Sequence, residues 1–375
     1  MLNVFDVAHT LVNHIKANYP EDIAIIAYYG SYAQGTATKR SDLDFFFIPA
    51  TSNGYRAGIQ FIIDGISFDF WPIGWERAER MASFKEPLTT IIADCKLLYI
   101  RSDEDRERFM KLRNISATLQ QPENKQKLVD LSEAELHDVY ASLYKMSRAG
   151  DGDNISFYRS EAQKVLTKVL QSLALLNQSY FTKGFGKNKE EILRLPLKPA
   201  GLESYMNTIM HGVTAGGILQ ACEQLTADTL ELVLAQMEKH TGSPSYRDRM
   251  KGHYEEAKGV LDKIITACEM KDFDTAFYYA VHVQNEIAGF LFFAETGQWP
   301  CHLMAYSAYQ QFYIKAGLPE LIPLLNSHDL SQLEAGIHHL SSCLESHLRS
   351  KGVEINRFQD IEQFEAFLRN KAESS

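Results

Sequence analysis

Gly30 and Ser31, then ten residues, then Asp42-Leu43-Asp44: these residue types at this spacing suit the holding of a polyphosphate and a cation. Glycine lets backbone approach phosphate oxygens closely because it has no Cβ. A serine hydroxyl can donate to the same oxygens. Two acids one residue apart on a strand point to the same side, with Leu43 opposite and buried. Held that close, Asp42 and Asp44 repel each other unless a cation sits between them. A pair of carboxylates suits Mg²⁺, which keeps some waters and takes its remaining ligands from substrate phosphates. Such a turn and strand would handle a nucleotide.

The elements that must position these residues are legible on either side. Apolar runs, Ile23 to Tyr29 and Phe45 to Ile48, read as strands bracketing the turn. Val4, Val7, Leu11 and Ile15 give helical spacing over 4–18, and a strand block covers roughly 23–73. Ile59–Ile63, Asp64-Gly65 and Ile66–Trp71 read as a hairpin, because a type I′ turn needs positive φ at both central residues. A short amphipathic helix over 75–81 follows, then a helix end and strand over 90–100. Ser102 is placed to cap a further helix, with Asp105 in its first turn.

The segment resembles the GS-x10-D-x-D signature of the polymerase-β-like nucleotidyltransferase superfamily, and within it the minimal and antibiotic (aminoglycoside or lincosamide) nucleotidyltransferases. The resemblance implies that Gly30 and Ser31 contact a nucleoside triphosphate and that Asp42 and Asp44 hold one or two Mg²⁺ ions. It also implies a third carboxylate on a neighbouring strand. Asp69 fits, since Phe68 and Phe70 flank it and its side chain faces away from both. Whether Asp69 ligates metal or acts as general base stays open. One departure is Gln34, where many antibiotic-modifying relatives carry a basic residue. Lys39 and Arg40 read either as phosphate-steering cations or as a solvated loop pair.

With 375 residues the chain is long enough for two or three domains. The expected fold class is α+β: an N-terminal domain over 1–115, a short mixed sheet with flanking helices, then an all-α helical bundle over 128–375. The polar stretch 114–127 reads as the linker, and the bundle could divide into two lobes near 242. Helical periodicity covers about 128–149, 156–182, 216–240, 245–271, 273–296, 303–316 and 329–351, with an interruption after Phe185. The segment beginning Phe157-Tyr158-Arg159-Ser160-Glu161 is similar to the first helices behind antibiotic nucleotidyltransferase domains. On it, Glu161 reads as an auxiliary base and Lys164 as a triphosphate contact, or the two read as a surface i, i+3 pair. Arg247 and His253 fit a loose ribonuclease spacing that arises readily by chance on a charged helix. His302, His338 and His339 show no metal-ligand spacing.

Net charge is −10, with no Lys/Arg block, so no nucleic-acid partner is expected. Five scattered cysteines, Cys95, Cys222, Cys268, Cys301 and Cys343, fit free thiols in a reducing cytoplasm. No apolar run approaches the ~20 residues of a membrane span, and the N-terminus lacks a signal-peptide pattern. The resemblance therefore implies a Mg²⁺-dependent enzyme moving a nucleoside monophosphate, AMP from ATP, onto a hydroxyl of a small molecule. The acidic surplus suits a cationic acceptor such as an aminoglycoside. The alternatives are a protein AMP-transferring, antitoxin-like regulator and a non-catalytic nucleotide-binding sensor. Whether the chain forms a homodimer is left open.

Overall fold

The structure, a computed structural model, describes residues 2–39, 41–150, 154–184, 186–237, 245–300 and 304–373. Arg40, Phe185, Cys301, His302 and the break expected near 242 lie outside the described residues. The chain divides into two compact units, Met1–Met237 and Glu238–Ser375.

The first unit opens with helix α1 (Val4–Asn18), whose N-cap Asn3 accepts from the Phe5 amide. Strands β1 (Ile23–Tyr29), β2 (Asp44–Pro49), β3 (Ile59–Ile63), β4 (Ile66–Pro72) and β5 (Lys96–Ile100) form one sheet of order β3-β4-β2-β1-β5. β2 and β4 run parallel; the other neighbours are antiparallel. The hairpin turn has φ +50 at Asp64 and +73 at Gly65, as its Asp-Gly pair predicts. A one-turn helix α2 (Gly30–Ala33) follows β1 directly.

Both faces of the sheet are covered. Val4, Val7, Ala8, Val12 and Ile15 of α1 pack on Phe45, Phe47, Phe68 and Phe70. The opposite face carries Ile25, Phe46 and Ile48 against α3 (Trp75–Ala82), α4 (Thr89–Ala93) and α5 (Asp103–Leu119). Each fully buried phenylalanine contributes about 1.5–3 kcal/mol, so this aromatic-rich centre fixes β2 and β4 firmly. Ser102 caps α5 by accepting from the Asp105 amide at 3.2 Å, and Arg101 pairs with Asp105 at 2.8 Å.

The stretch expected as a linker is ordered. Residues 114–119 complete α5, Pro122–Asn124 make a 3₁₀ turn, and Lys125 begins α6 (Lys125–His137). Ser116, buried, donates to the Ala82 carbonyl at 2.8 Å, so this polar segment is held by packing that composition does not show. α7 (Val139–Ser147), α8 (Ile155–Leu176), α9 (Lys189–Arg194), α10 (Leu202–His211) and α11 (Ala215–Met237) complete the unit. Ser132 of α6 and Ser172 of α8 exchange hydrogen bonds where the two helices pack.

The second unit is helical in its described residues: α12 (Tyr246–Arg249), α13 (His253–Met270), α14 (Phe273–Thr296), α15 (Tyr306–Lys315), α16 (Ser331–Ser350) and α17 (Ile361–Glu373). Leu261, Ile264, Ile287, Leu333, Ile337 and Leu340 are fully buried at its centre. Among the described residues no helix is long and apolar enough to cross a membrane. The four described cysteines are free thiols.

Candidate active site

The pairing of β1 with β2 puts Tyr29 opposite Asp44. The chain then turns through Gly30 at φ +71, where a Cβ would overlap the Asp44 carboxylate. Glycine is required there twice over, for its backbone conformation and for the space. The turn is closed by the Gln34 amide donating to the Gly30 carbonyl at 3.1 Å and Thr36 to Ser31 at 2.8 Å. The connection to β2 is pinned by Ser41, whose hydroxyl accepts from the Thr38 amide at 2.9 Å. Leu43 is fully buried against α1, so its neighbours face the other way. Gly30, Ser31, Asp42 and Asp44 thereby share one wall of a cavity of about 630 Å³.

The electrostatics of that wall are uncomfortable without a cation. Burial pushes the Asp44 carboxyl up, and the charge of Asp42 pushes it further, to about 6; Lys187 pulls the other way. The Tyr29 phenol is raised to about 12, by burial first and then by Asp44, with Asp69 and Asp42 adding smaller contributions. Three carboxylates therefore act on one phenol.

Asp69 stands one residue before Phe70 on β4, as Asp44 stands before Phe45, and Phe45 pairs with Phe70 in the parallel ladder. The two acids thus occupy adjacent register positions on the same sheet face. Asp69 is exposed, accepts from the Gln60 amide at 2.7 Å, and lies outside the cavity lining. Among the described residues no group of three or more His, Cys, Asp or Glu side chains is gathered to hold a metal. The donor set still fits a hard divalent cation: two neighbouring carboxylates, one of them pushed up by burial and its neighbour's charge, gain by sharing one.

The structure does not bring Glu161 and Lys164 to this cavity. Glu161 is buried in α8, accepting from Lys164 at 2.6 Å and from Ser142 of α7 at 2.8 Å, with Lys145 at 3.9 Å. Lys164, first among these partners, holds the Glu161 carboxyl below its ordinary range. The pair joins α8 to α7. The α8 face that does line the cavity carries Thr167, Leu170, Gln171, Ala174 and Leu175, one to four turns further along.

Two walls were not read from the sequence. The loop after α8 brings Tyr180, Lys183 and Lys187 to the cavity. It is tied to the phosphate-type turn by Gln34, whose side-chain amide donates to the Thr182 carbonyl. Thr182 in turn donates its amide to Glu191 at 3.0 Å. The other wall is Phe84 to Ile91, where Tyr180 donates to Asp94 at 3.2 Å and Thr90 to the same carboxylate at 2.9 Å. Phe84 and Leu88 both hold positive φ, +61 and +77, which non-glycine residues adopt only under constraint. The sequence signal available for the first wall was Lys183-Gly184 and Gly186-Lys187, two lysines flanking glycines between helices.

Residues 9–72 match the family model of the nucleotidyltransferase domain, and residues 106–239 match that of the KNTase C-terminal domain. A crystal structure of a nucleotidyltransferase-like protein from Exiguobacterium sibiricum 255-15 is similar at 12% identity, covering 61% of this chain and 76% of that chain, with a TM-score of 0.37. The assignment rests on the two domain matches and not on that likeness. No curated protein matches the chain. The chain is a nucleotidyltransferase whose two matched domains fit the polymerase-β-like superfamily.

Proposed function

Starting from that nucleotidyltransferase assignment, we propose that the chain transfers a nucleoside monophosphate, AMP from ATP, to a hydroxyl of a small molecule bound in the cavity beside Gly30 and Asp44. The observation that carries this reading is the shared wall: a glycine whose missing side chain makes room for Asp44, with Ser31 and Asp42 on the same surface. Asp42 and Asp44 would hold Mg²⁺, which supplies charge neutralisation on the triphosphate. The Gly30 backbone and the Ser31 hydroxyl orient the phosphates. Lys183 and Lys187 offer cations to the departing pyrophosphate oxygens from the opposite wall. Transfer of this kind depends on positioning and charge more than on covalent chemistry, and a closed cavity wall serves both.

Asp69, exposed and next to Asp44 in the strand register, would serve as a third metal ligand or as the general base. Incubating the protein with ATP labelled on the α- or the γ-phosphate, with pooled hydroxyl compounds, tests the reaction class. Label entering product from the α-phosphate alone supports nucleotidyl transfer. Label entering from the γ-phosphate means phosphoryl transfer and ends the proposal. The alternative of a protein acceptor is read in the same assay from label retained on a macromolecule.

A further inference from the structure

Resting on the nucleotidyltransferase reading, we infer that the acceptor is a hydroxyl compound with an apolar body and without multiple positive charges, taken against Phe84, Leu88, Leu170 and Leu175. Whole-chain charge points toward a polycation, but the cavity does not follow the whole chain. Among the described lining residues the only acids are Asp42 and Asp44, which face the metal position, and two cations, Lys183 and Lys187, offset them. The acids just behind the walls are already engaged: Asp94 accepts from Tyr180 and Thr90, and Glu191 from Thr182. A polyamine would leave its ammonium groups without fixed carboxylates, and an unpaired buried charge is strongly unfavourable.

The second observation is local strain. Leu88 is 53% exposed yet holds φ +77, and Phe84, four residues earlier, is 3% exposed at φ +61. A left-handed conformation costs a non-glycine residue about 1–2 kcal/mol. Glycine or asparagine would be the relaxed choice at Leu88, so a large exposed apolar side chain held there is unexplained by packing. Its place on the cavity wall supplies a reason: it presents a hydrophobic face to a ligand. Leu170, Ala174 and Leu175 of α8, mostly buried themselves, add apolar edges to the same lining.

The test uses the full chain, with and without Mg²⁺ and α,β-methylene-ATP, and two probes: anilinonaphthalene sulfonate as an apolar anion and spermine as a polycation. Saturable sulfonate binding is expected, weakened roughly tenfold or more by Leu88→Asn. Asparagine tolerates the left-handed backbone, so the melting temperature of that variant should not fall. Gln171→Glu should weaken the sulfonate and Gln171→Lys should not. Millimolar spermine should fail to displace it. Displacement by spermine, or sulfonate binding indifferent to Leu88 and Gln171, overturns the inference. Failure of α,β-methylene-ATP to bind would instead count against the nucleotidyltransferase reading, and the nucleotide-free arm would still decide what the cavity prefers.

Discussion

Each compact unit holds an ionisable group that burial drives toward its neutral form, and the two groups have opposite surroundings. In the first unit Asp44 faces a cavity, beside a second carboxylate and across from Lys187, with its carboxyl raised to about 6. In the second unit His253 is 4% exposed, stacked on Phe290 at 3.9 Å, and driven down to about 4 by burial alone. Among the described residues neither His253 nitrogen reaches a hydrogen-bond partner. A perturbed group marks chemistry only when space and a complementary charge lie in front of it. Asp44 meets that condition; His253 fills a core. The ribonuclease-type spacing of Arg247 and His253 fails on the same ground, since Arg247 pairs with Glu354 at 2.7 Å while His253 is enclosed.

The sharpest way to break the contrast is at the acids. Asp42→Asn or Asp44→Asn should reduce turnover by about a hundred- to a thousandfold, as expected when a charge-stabilising group is removed. Asp44→Asn should also raise the melting temperature of the metal-free protein at pH 8. The sign follows from the raised pKa: between the ordinary carboxylate range and about 6 the folded protein keeps a proton that the unfolded chain has lost. Stability from this group therefore declines as pH rises through that window, and the gain from Asp44→Asn should vanish below it. Mg²⁺ affinity should fall as pH drops through 6, measurable by calorimetry.

Gly30→Ala comes next. The added methyl overlaps Asp44 and forces a left-handed alanine, about 1–2 kcal/mol from the backbone alone. Turnover should approach that of Asp44→Asn, and thermal unfolding should shift by the backbone strain plus the cost of displacing the Asp44 carboxylate.

Smaller effects are expected away from the cavity. Glu161→Gln should change kcat less than about threefold, while losing charge-assisted bonds to Lys164 and Ser142 lowers stability by roughly 1–3 kcal/mol. A large loss of kcat with unchanged stability would restore Glu161 as a base. His253→Leu should leave turnover unchanged and flatten the acid response of the second unit. With the folded pKa depressed to about 4 from 6.5, His253 favours folding above that window and loses this contribution as pH falls through it. Hydrogen exchange in α13 and α14, followed by mass spectrometry, reads this directly.

The sequence made the sheet and its phosphate-type turn legible because short apolar runs, an Asp-Gly turn and a fixed glycine-to-acid spacing are all local signals. Asp42, Leu43 and Asp44 divide between cavity and core as alternation requires. The helical span 273–296 was equally plain from its periodicity, and the structure closes it with the Asp272 side chain at one end and Gly297 at the other. The cavity's other walls were hidden for a physical reason. The charge of Lys187 acts on Asp44 from more than 140 positions away in the chain, and the strained φ of Phe84 and Leu88 leaves no compositional trace. Glu161 and Lys164 were placed at the site by the segment's resemblance to family helices, whereas Glu161 on α8 pairs with Lys164 and with Ser142 of α7. The polarity of 114–127 reflects exposure on helices and a 3₁₀ turn, not absence of structure.

Pyrophosphate release from each nucleoside triphosphate, measured with and without Mg²⁺ for the native chain and the Asp42→Asn/Asp44→Asn double variant, tests the central claim most directly. Release that needs Mg²⁺, an added hydroxyl acceptor and both aspartates is the predicted result. Release that persists undiminished in the double variant would place the chemistry elsewhere and contradict the account.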